Sequence, residues 1–180
     1  MIPTVDQCFE LMGKYGMLEN IKAHSIMVER VASVIAMEIK KAGIDISMSM
    51  ITAGALIHDI GKTSCLNTRD DHAAKGSDIC VMNHFEEIAE IVKEHVILET
   101  FDSQGDVNEK EIIYYADKRI NHDKVVSIDE RLEDILIRYA KGNERLERLI
   151  KENFAQCREV EKKLFAVLSF MPDDLAGMIG

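Results

Sequence analysis

The stretch Leu56-Ile57-His58-Asp59-Ile60-Gly61, closed by Lys62, sets an imidazole and a carboxylate side by side in an apolar run that a glycine stops. Both side chains are good ligands for a divalent metal, and apolar neighbours hold such ligands away from bulk water. Burying the pair without a partner is costly, so the sequence asks for something to be coordinated there. Two further residues raise the same question. His24 interrupts a stripe otherwise made of Ile21, Met27, Val28, Val31, Ile35 and Ile39, and Asp117 ends the run Ile112-Ile113-Tyr114-Tyr115-Ala116. Each has an ordinary reading of its own. A histidine on an apolar stripe is often a satisfied core residue, and Asp117 stands next to Lys118 and Arg119, with which it can form an ion pair. Three separate apolar segments that each present His or Asp share a simpler explanation: one metal centre coordinated by His24, His58, Asp59 and Asp117.

The elements that must position these groups read as helices. The only prolines are Pro3 and Pro172, and the long interior is rich in Leu, Ile, Met, Glu and Lys. Asn20 is placed to cap a helix that Gly43 ends. Ser47 is placed to cap the next, which runs into His58-Asp59, and 67–71 reads as a polar loop. Further helices are expected from about Asp70 through Val81, from Glu86 to Val96, and from an Asn108/Glu111 capping signature to Ile120. Ser127 with Glu130 repeats that signature. After a break at Lys141-Gly142-Asn143, a long amphipathic helix is expected over about 143–170. Strand signals are nearly absent. The expected fold is all-α: a compact single-domain helical bundle over 1–180, with a core of about 20–138.

At 180 residues, 47% hydrophobic and 30% charged, the chain has the make-up of a soluble globular protein. Thirty-two acidic against 22 basic residues give a net charge of −10, which argues against a long nucleic acid or an anionic membrane surface as partner. A small phosphorylated ligand in a local cationic pocket is compatible with it. Cys8, Cys65, Cys80 and Cys157 form no Cys-x-x-Cys pair, so they read as free thiols in a reducing cytoplasm. The N-terminus lacks the basic start and apolar run of a signal peptide.

The order His24, His58-Asp59, Asp117 resembles the HD-domain superfamily of metal-dependent phosphohydrolases. Ala55 to Lys62 is similar to the His-Asp-Ile-Gly form of that family's central signature. His24-Ser25 with Val28 and Val31-Ala32 resembles its first-histidine helix, and Tyr115 to Arg119 its final-aspartate helix. The resemblance runs from about Asn20 to Arg138. It implies two further histidine ligands, His72 and His95, for a second metal. That larger set is similar to the arrangement in bacterial dinucleoside-tetraphosphate hydrolases, although Val96 stands where those often have threonine.

The implied activity is hydrolysis of a phosphate ester or anhydride in a small nucleotide-like substrate. A divalent ion lowers the pKa of bound water from 15.7 to roughly 7. One or two ions are expected; Mn, Fe, Co, Ni and Zn all suit imidazole and carboxylate ligands. With two ions, Asp59 is expected to bridge them, and Asp59 with Lys62 would carry the catalytic roles. Lys62, one turn beyond His58, is also expected to meet substrate phosphate, as are Lys124 and Arg131; the ordinary alternatives are a helix-end lysine and a solvated, ion-paired face. His84 and His122 are expected outside the ligand set. Two other functions stay open: a di-iron oxygenase on the same fold, and a non-catalytic metal- or nucleotide-binding sensor.

Overall fold

A computed structural model describes residues 1–68 and 70–179. The fold is all-α, apart from a small hairpin. The helices are α1 (Val5–Lys14), α2 (Glu19–Lys41), α3 (Met48–Ile57), α4 (Lys62–Cys65), α5 (His72–Met82), α6 (Glu86–Glu94), α7 (Glu109–Lys118), α8 (Ile128–Ile135), α9 (Glu144–Phe165) and α10 (Leu175–Met178). β1 (Ile120–Asn121) and β2 (Lys124–Val125) pair antiparallel between α7 and α8. A π-helical turn, Leu136–Ala140, extends α8, and a 3-10 turn, Pro172–Asp174, precedes α10.

The core is organised around α3 and α7. Ile51 and Ala53 through Ile57 are buried in α3, as are Ile112 through Ala116 in α7. A helix apolar on nearly every side must be enclosed by others. Accordingly α2 packs against both, α6 against both, and α9 closes over α7. Gly54 makes the α3 crossing possible, since a Cβ there would lie 2.8 Å from Ile113 Cδ1 and 2.9 Å from Ile91 Cγ2.

Capping chemistry sets most helix starts. Ser47, Asp71, Asn108, Ser127 and Asn143 each accept a backbone N–H of the first turn, and Ser127 with Glu130 completes a capping box. Asn20 does not cap α2. The helix begins two residues earlier, after Leu18, whose N–H is taken by Thr63 Oγ1 at 3.2 Å. The expected helix over 143–170 ends at Phe165, after which Leu168 and Phe170 fold onto the core.

Two features bring distant segments together at the future site. The first is the approach of Gly61 to Gly76. A Cβ at Gly61 would sit 2.4 Å from His72 O and 2.7 Å from Gly76 N, and one at Gly76 would sit 2.7 Å from Val92 Cγ1. The missing side chains let α5 start directly against the end of the His58-Asp59 turn. The second is the strapping of α9 to α7. Lys163 Nζ pairs with Glu111 Oε1 at 2.7 Å with both side chains buried, and also donates to Asp102 O and Asp106 O. Tyr114 Oη donates to Asn153 and Tyr115 Oη to Glu161.

Two outcomes follow. Gly61→Ala, whose backbone sits in ordinary αR geometry, should lower unfolding free energy by ~1–3 kcal/mol through overpacking alone. Denaturant titration reads this, and an unchanged midpoint would refute the close approach. Lys163→Met should cost ~3 kcal/mol by stranding the Glu111 carboxylate, and adding Glu111→Gln should recover much of the loss. Equal instability of the single and double variants would refute that account.

Candidate metal centre

Four helix ends and one helix middle deliver the polar groups. His58 and His95 are the C-cap residues of α3 and α6, His72 opens α5, Asp117 lies in the last turn of α7, and His24 projects from the first half of α2. Asp59 follows His58 and is almost wholly buried, at 1% exposure.

These six side chains converge. His24 Nε2 lies 2.9 Å from Asp117 Oδ1, which is 3.6 Å from His58 Nε2. Asp59 divides its two oxygens: Oδ2 is 3.5 Å from His58 Nε2 and 2.7 Å from Lys62 Nζ, while Oδ1 is 3.4 Å from His72 Nε2 and 3.5 Å from His95 Nε2. The result is two groups with metal-ligand spacing, His24/His58/Asp59 and Asp59/His72/His95, joined through one carboxylate. The ion pair of Asp117 with Lys118 or Arg119, open from the sequence, does not form; histidines surround the carboxylate instead.

The donor atoms are turned inward by a shared device. Nδ1 of His58 faces Ala55 O at 2.7 Å, Nδ1 of His95 faces Val92 O at 2.6 Å, and Nδ1 of His24 faces His122 O at 3.1 Å. The first two acceptors are last-turn carbonyls, free of helical partners because the helix ends there. An Nδ1–H bonded to a carbonyl leaves Nε2 as the lone-pair donor, the tautomer metal ligation requires. Thus His122 is no ligand, but its backbone, at φ 57° in the hairpin turn, orients one. His84 is exposed, far along the chain from these groups at the end of α5.

The residues fit a metal by a second test. His58 Nε2, Asp59 Oδ1 and His72 Nε2 are buried and make no hydrogen bond among the described residues. Buried polar atoms rarely go unpaired, yet His72 Nε2 and Asp59 Oδ1 lie 3.4 Å apart and His58 Nε2 lies 3.5 Å from the other oxygen of Asp59. Electrostatics agrees. Burial opposes charge on Asp59, but His58 and Lys62 outweigh it and hold the carboxyl well below its usual range; burial likewise opposes Asp117, and His24 and His58 hold it low. Burial also opposes charge on His58, yet the carboxylates of Asp59 and Asp117 lift its pKa to about 10. Burial pushes His72 down to about 4.

Asp59, His72, His95 and Asp117 of the cluster line a cavity of about 510 Å³. Lys62, Lys118 and Arg131 supply cationic groups to its lining; Leu66, Ile135, Tyr139, Leu146, Ile150 and Phe154 supply an apolar side. Lys124 is exposed on β2 and is not among the lining residues. From the sequence Lys118 reads as a counter-ion for Asp117, or as the head of a charged tract, 118–124, that forms either a phosphate-facing lid or a solvated face. Instead it is buried over the Tyr114 ring, 3.5 Å from the centroid, where burial lowers its pKa against the pull of Asp117, and Arg131 lowers it further.

Comparison with known proteins agrees with this geometry. A tRNA (cytidine(56)-2'-O)-methyltransferase of Thermoplasma volcanium is 35% identical over 97 residues, 53% of this chain and 27% of that protein. The enzyme of the same name from Picrophilus torridus is 26% identical over 167 residues, 81% of this chain and 47% of that protein. The chain therefore spans less than half the length of either methyltransferase. An uncharacterised protein of Methanocaldococcus jannaschii is 29% identical over 148 residues, 75% of this chain and 86% of that protein. No solved structure matches the chain. Among the described residues, no helix is long and apolar enough to cross a membrane. The HD domain model matches residues 21–156, a span that contains all six converging side chains. The chain belongs to the HD-domain family.

Proposed function

We propose that the protein is a metal-dependent phosphohydrolase, cleaving a phosphate ester or anhydride of a small nucleotide-like substrate. The observation that carries this reading is the sharing of Asp59 between two three-ligand groups, one of which lines a cavity that also presents Lys62, Lys118 and Arg131. His24, His58, Asp59 and Asp117 would hold one divalent ion, and Asp59, His72 and His95 a second. Bound there, divalent ions supply an acidified water and accept charge from a phosphoryl oxygen.

The chain's own residues do the rest. Asp59 fixes the relative placement of both ligand groups, because one rigid carboxylate faces each. Lys62, anchored on Asp59 Oδ2, holds a positive charge at the cavity lining, where a phosphoryl oxygen gains negative charge as the bond to the leaving group breaks. Its pairing also keeps the ammonium from swinging into solvent. Arg131, in the same lining, provides a planar donor group suited to phosphate oxygens. The apolar side, with the Tyr139 ring, suits the ring system of a nucleotide. Lys124 stands outside this arrangement and would meet only a ligand reaching beyond the cavity.

Methyl transfer is not proposed here. The relatives so named are at least twice as long as the part matched, and imidazole and carboxylate ligands floor this cavity. Nor is tRNA the proposed partner, since a net charge of −10 opposes a long polyanion.

Elemental analysis of protein purified without chelator should find close to two divalent metal ions per chain. Asp59→Ala should lose both, whereas His95→Ala should keep one. Retention of full metal by Asp59→Ala would overturn the shared-carboxylate reading. Metal-stimulated release of phosphate or nucleotide should appear in a panel of nucleoside phosphates and dinucleoside polyphosphates. In that assay Lys62→Met should lower kcat/KM by roughly 10–100-fold, the value of one charge-assisted hydrogen bond to a charged substrate. A metal-loaded protein inert across the panel would sink the hydrolase reading, and substrate-dependent oxygen consumption by an iron-loaded form would replace it.

A further inference from the structure

Lys118 is a lysine in a place lysine rarely occupies. It is 4% exposed, lies in the last turn of α7, and lines the same cavity as the metal-ligand cluster. Its Nζ donates to His95 O at 3.1 Å and, at the limit of hydrogen bonding, to Tyr114 O at 3.5 Å. The Tyr114 ring faces it at 3.5 Å. These are neutral partners. Among the described residues no carboxylate comes within ion-pairing distance of it, although 20 other residue pairs and the N-terminus make such contacts, including every other buried lysine or arginine. A buried ammonium without an anion is costly, and a cation–π contact offsets only part of that cost.

Arg131 repeats the pattern more weakly. It is 9% exposed, lines the cavity, and pairs with Asp134 Oδ2 at 3.0 Å. Asp134 gives its other oxygen to Arg138 at 2.8 Å, so one carboxylate serves two guanidinium groups. Positive charge is left over on this side of the cavity too. Two carboxylates of the lining, Asp59 and Asp117, are engaged with histidines and Lys62. Lys62 therefore occupies one cationic corner, tied to Asp59, and Lys118, which pairs with no acid, makes another with Arg131, whose Asp134 is shared with Arg138.

We propose that Lys118 and Arg131 form an anion subsite that takes a phosphoryl group of the ligand, separate from the Lys62 corner. That the anion is phosphoryl rests on the phosphohydrolase reading; that an anion binds there rests on the burial and missing counter-charge alone. The ammonium acts as a positioning group. It is held by the carbonyl of His95, so a ligand phosphate seated on it is brought to a fixed place relative to the cluster.

The test is calorimetric titration of inorganic phosphate into metal-loaded protein, comparing the natural chain with Lys118→Met and Arg131→Met, each checked for metal content. With metal content unchanged, each variant should bind phosphate about tenfold more weakly or worse, as loss of a hydrogen bond to a charged group predicts. A purely structural Lys118 would alter thermal stability or metal content and leave phosphate affinity within twofold, which overturns the proposal. Should Lys118→Met fail to fold, a crystal structure of the natural chain soaked in phosphate decides. Phosphate oxygens within hydrogen-bond reach of Lys118 Nζ and the Arg131 guanidinium support the subsite, and phosphate touching neither overturns it. Neither experiment needs turnover, so an enzyme inert to every substrate but dependent on Lys118 for phosphate would sink the hydrolase reading and leave the subsite standing.

Discussion

Asp59 is a carboxylate with almost no access to water, and the fold around it is an answer to that fact. An ionised carboxylate away from water must be matched by cations or donors. Here it is matched on both oxygens: His58 and Lys62 on one, His72 and His95 on the other. Four segments of chain must converge to supply these groups. The end of α3 brings His58, the start of α4 brings Lys62, α5 brings His72, and the end of α6 brings His95. The bundle's unusual economies, such as glycine facing glycine where α5 meets the His-Asp turn, are what let so many backbones reach one carboxylate.

The imidazoles answer a related constraint. A metal ligand must present a lone pair, yet a buried ring has a second nitrogen that must also be satisfied. Placing His58 and His95 at helix C-termini solves both halves at once. Last-turn carbonyls have no helical partner, so each takes the Nδ1–H of the histidine three residues on. His24 lies within a long helix, where its own turn has no carbonyl to spare, and its acceptor comes instead from the hairpin turn at His122. The small hairpin is thus part of the site's construction, although none of its side chains enters the ligand set.

Legibility in the sequence follows the same physics. His24, His58, Asp59 and Asp117 stood out because polar residues in apolar runs are conspicuous, and helix periodicity carried their context. His72 was harder, since its flanks are polar and only the Gly61–Gly76 approach draws it inward; it was named through a family likeness. The α1 helix had a readable signal, the Thr4/Gln7 capping box. Lys118 and Arg119 were opaque for a different reason. Both belong to a charged tract that reads as solvated surface, yet both are buried. Arg119 is enclosed by Tyr115, Glu161, Val126 O and Pro172 O, partners up to 53 residues away. Burial of a long cationic side chain is decided by such distant partners, which no local pattern encodes.

The charge distribution bears on the ligand proposed for this site. The chain as a whole carries −10, so the long-range field repels polyanions and slows the approach of any anion. At physiological salt that field fades within about 8 Å of the surface. Inside the cavity the charges are even, Lys62, Lys118 and Arg131 against Asp59, Asp70 and Asp117, and the three cations are held by short bonds to the protein. An anion small enough to enter whole meets the local cations and escapes the global repulsion. A long nucleic acid would have to lie across the acidic exterior to bring one phosphate in. An acidic exterior around a cavity that holds its own cations therefore weighs against a polymer, in line with the small ligand proposed above.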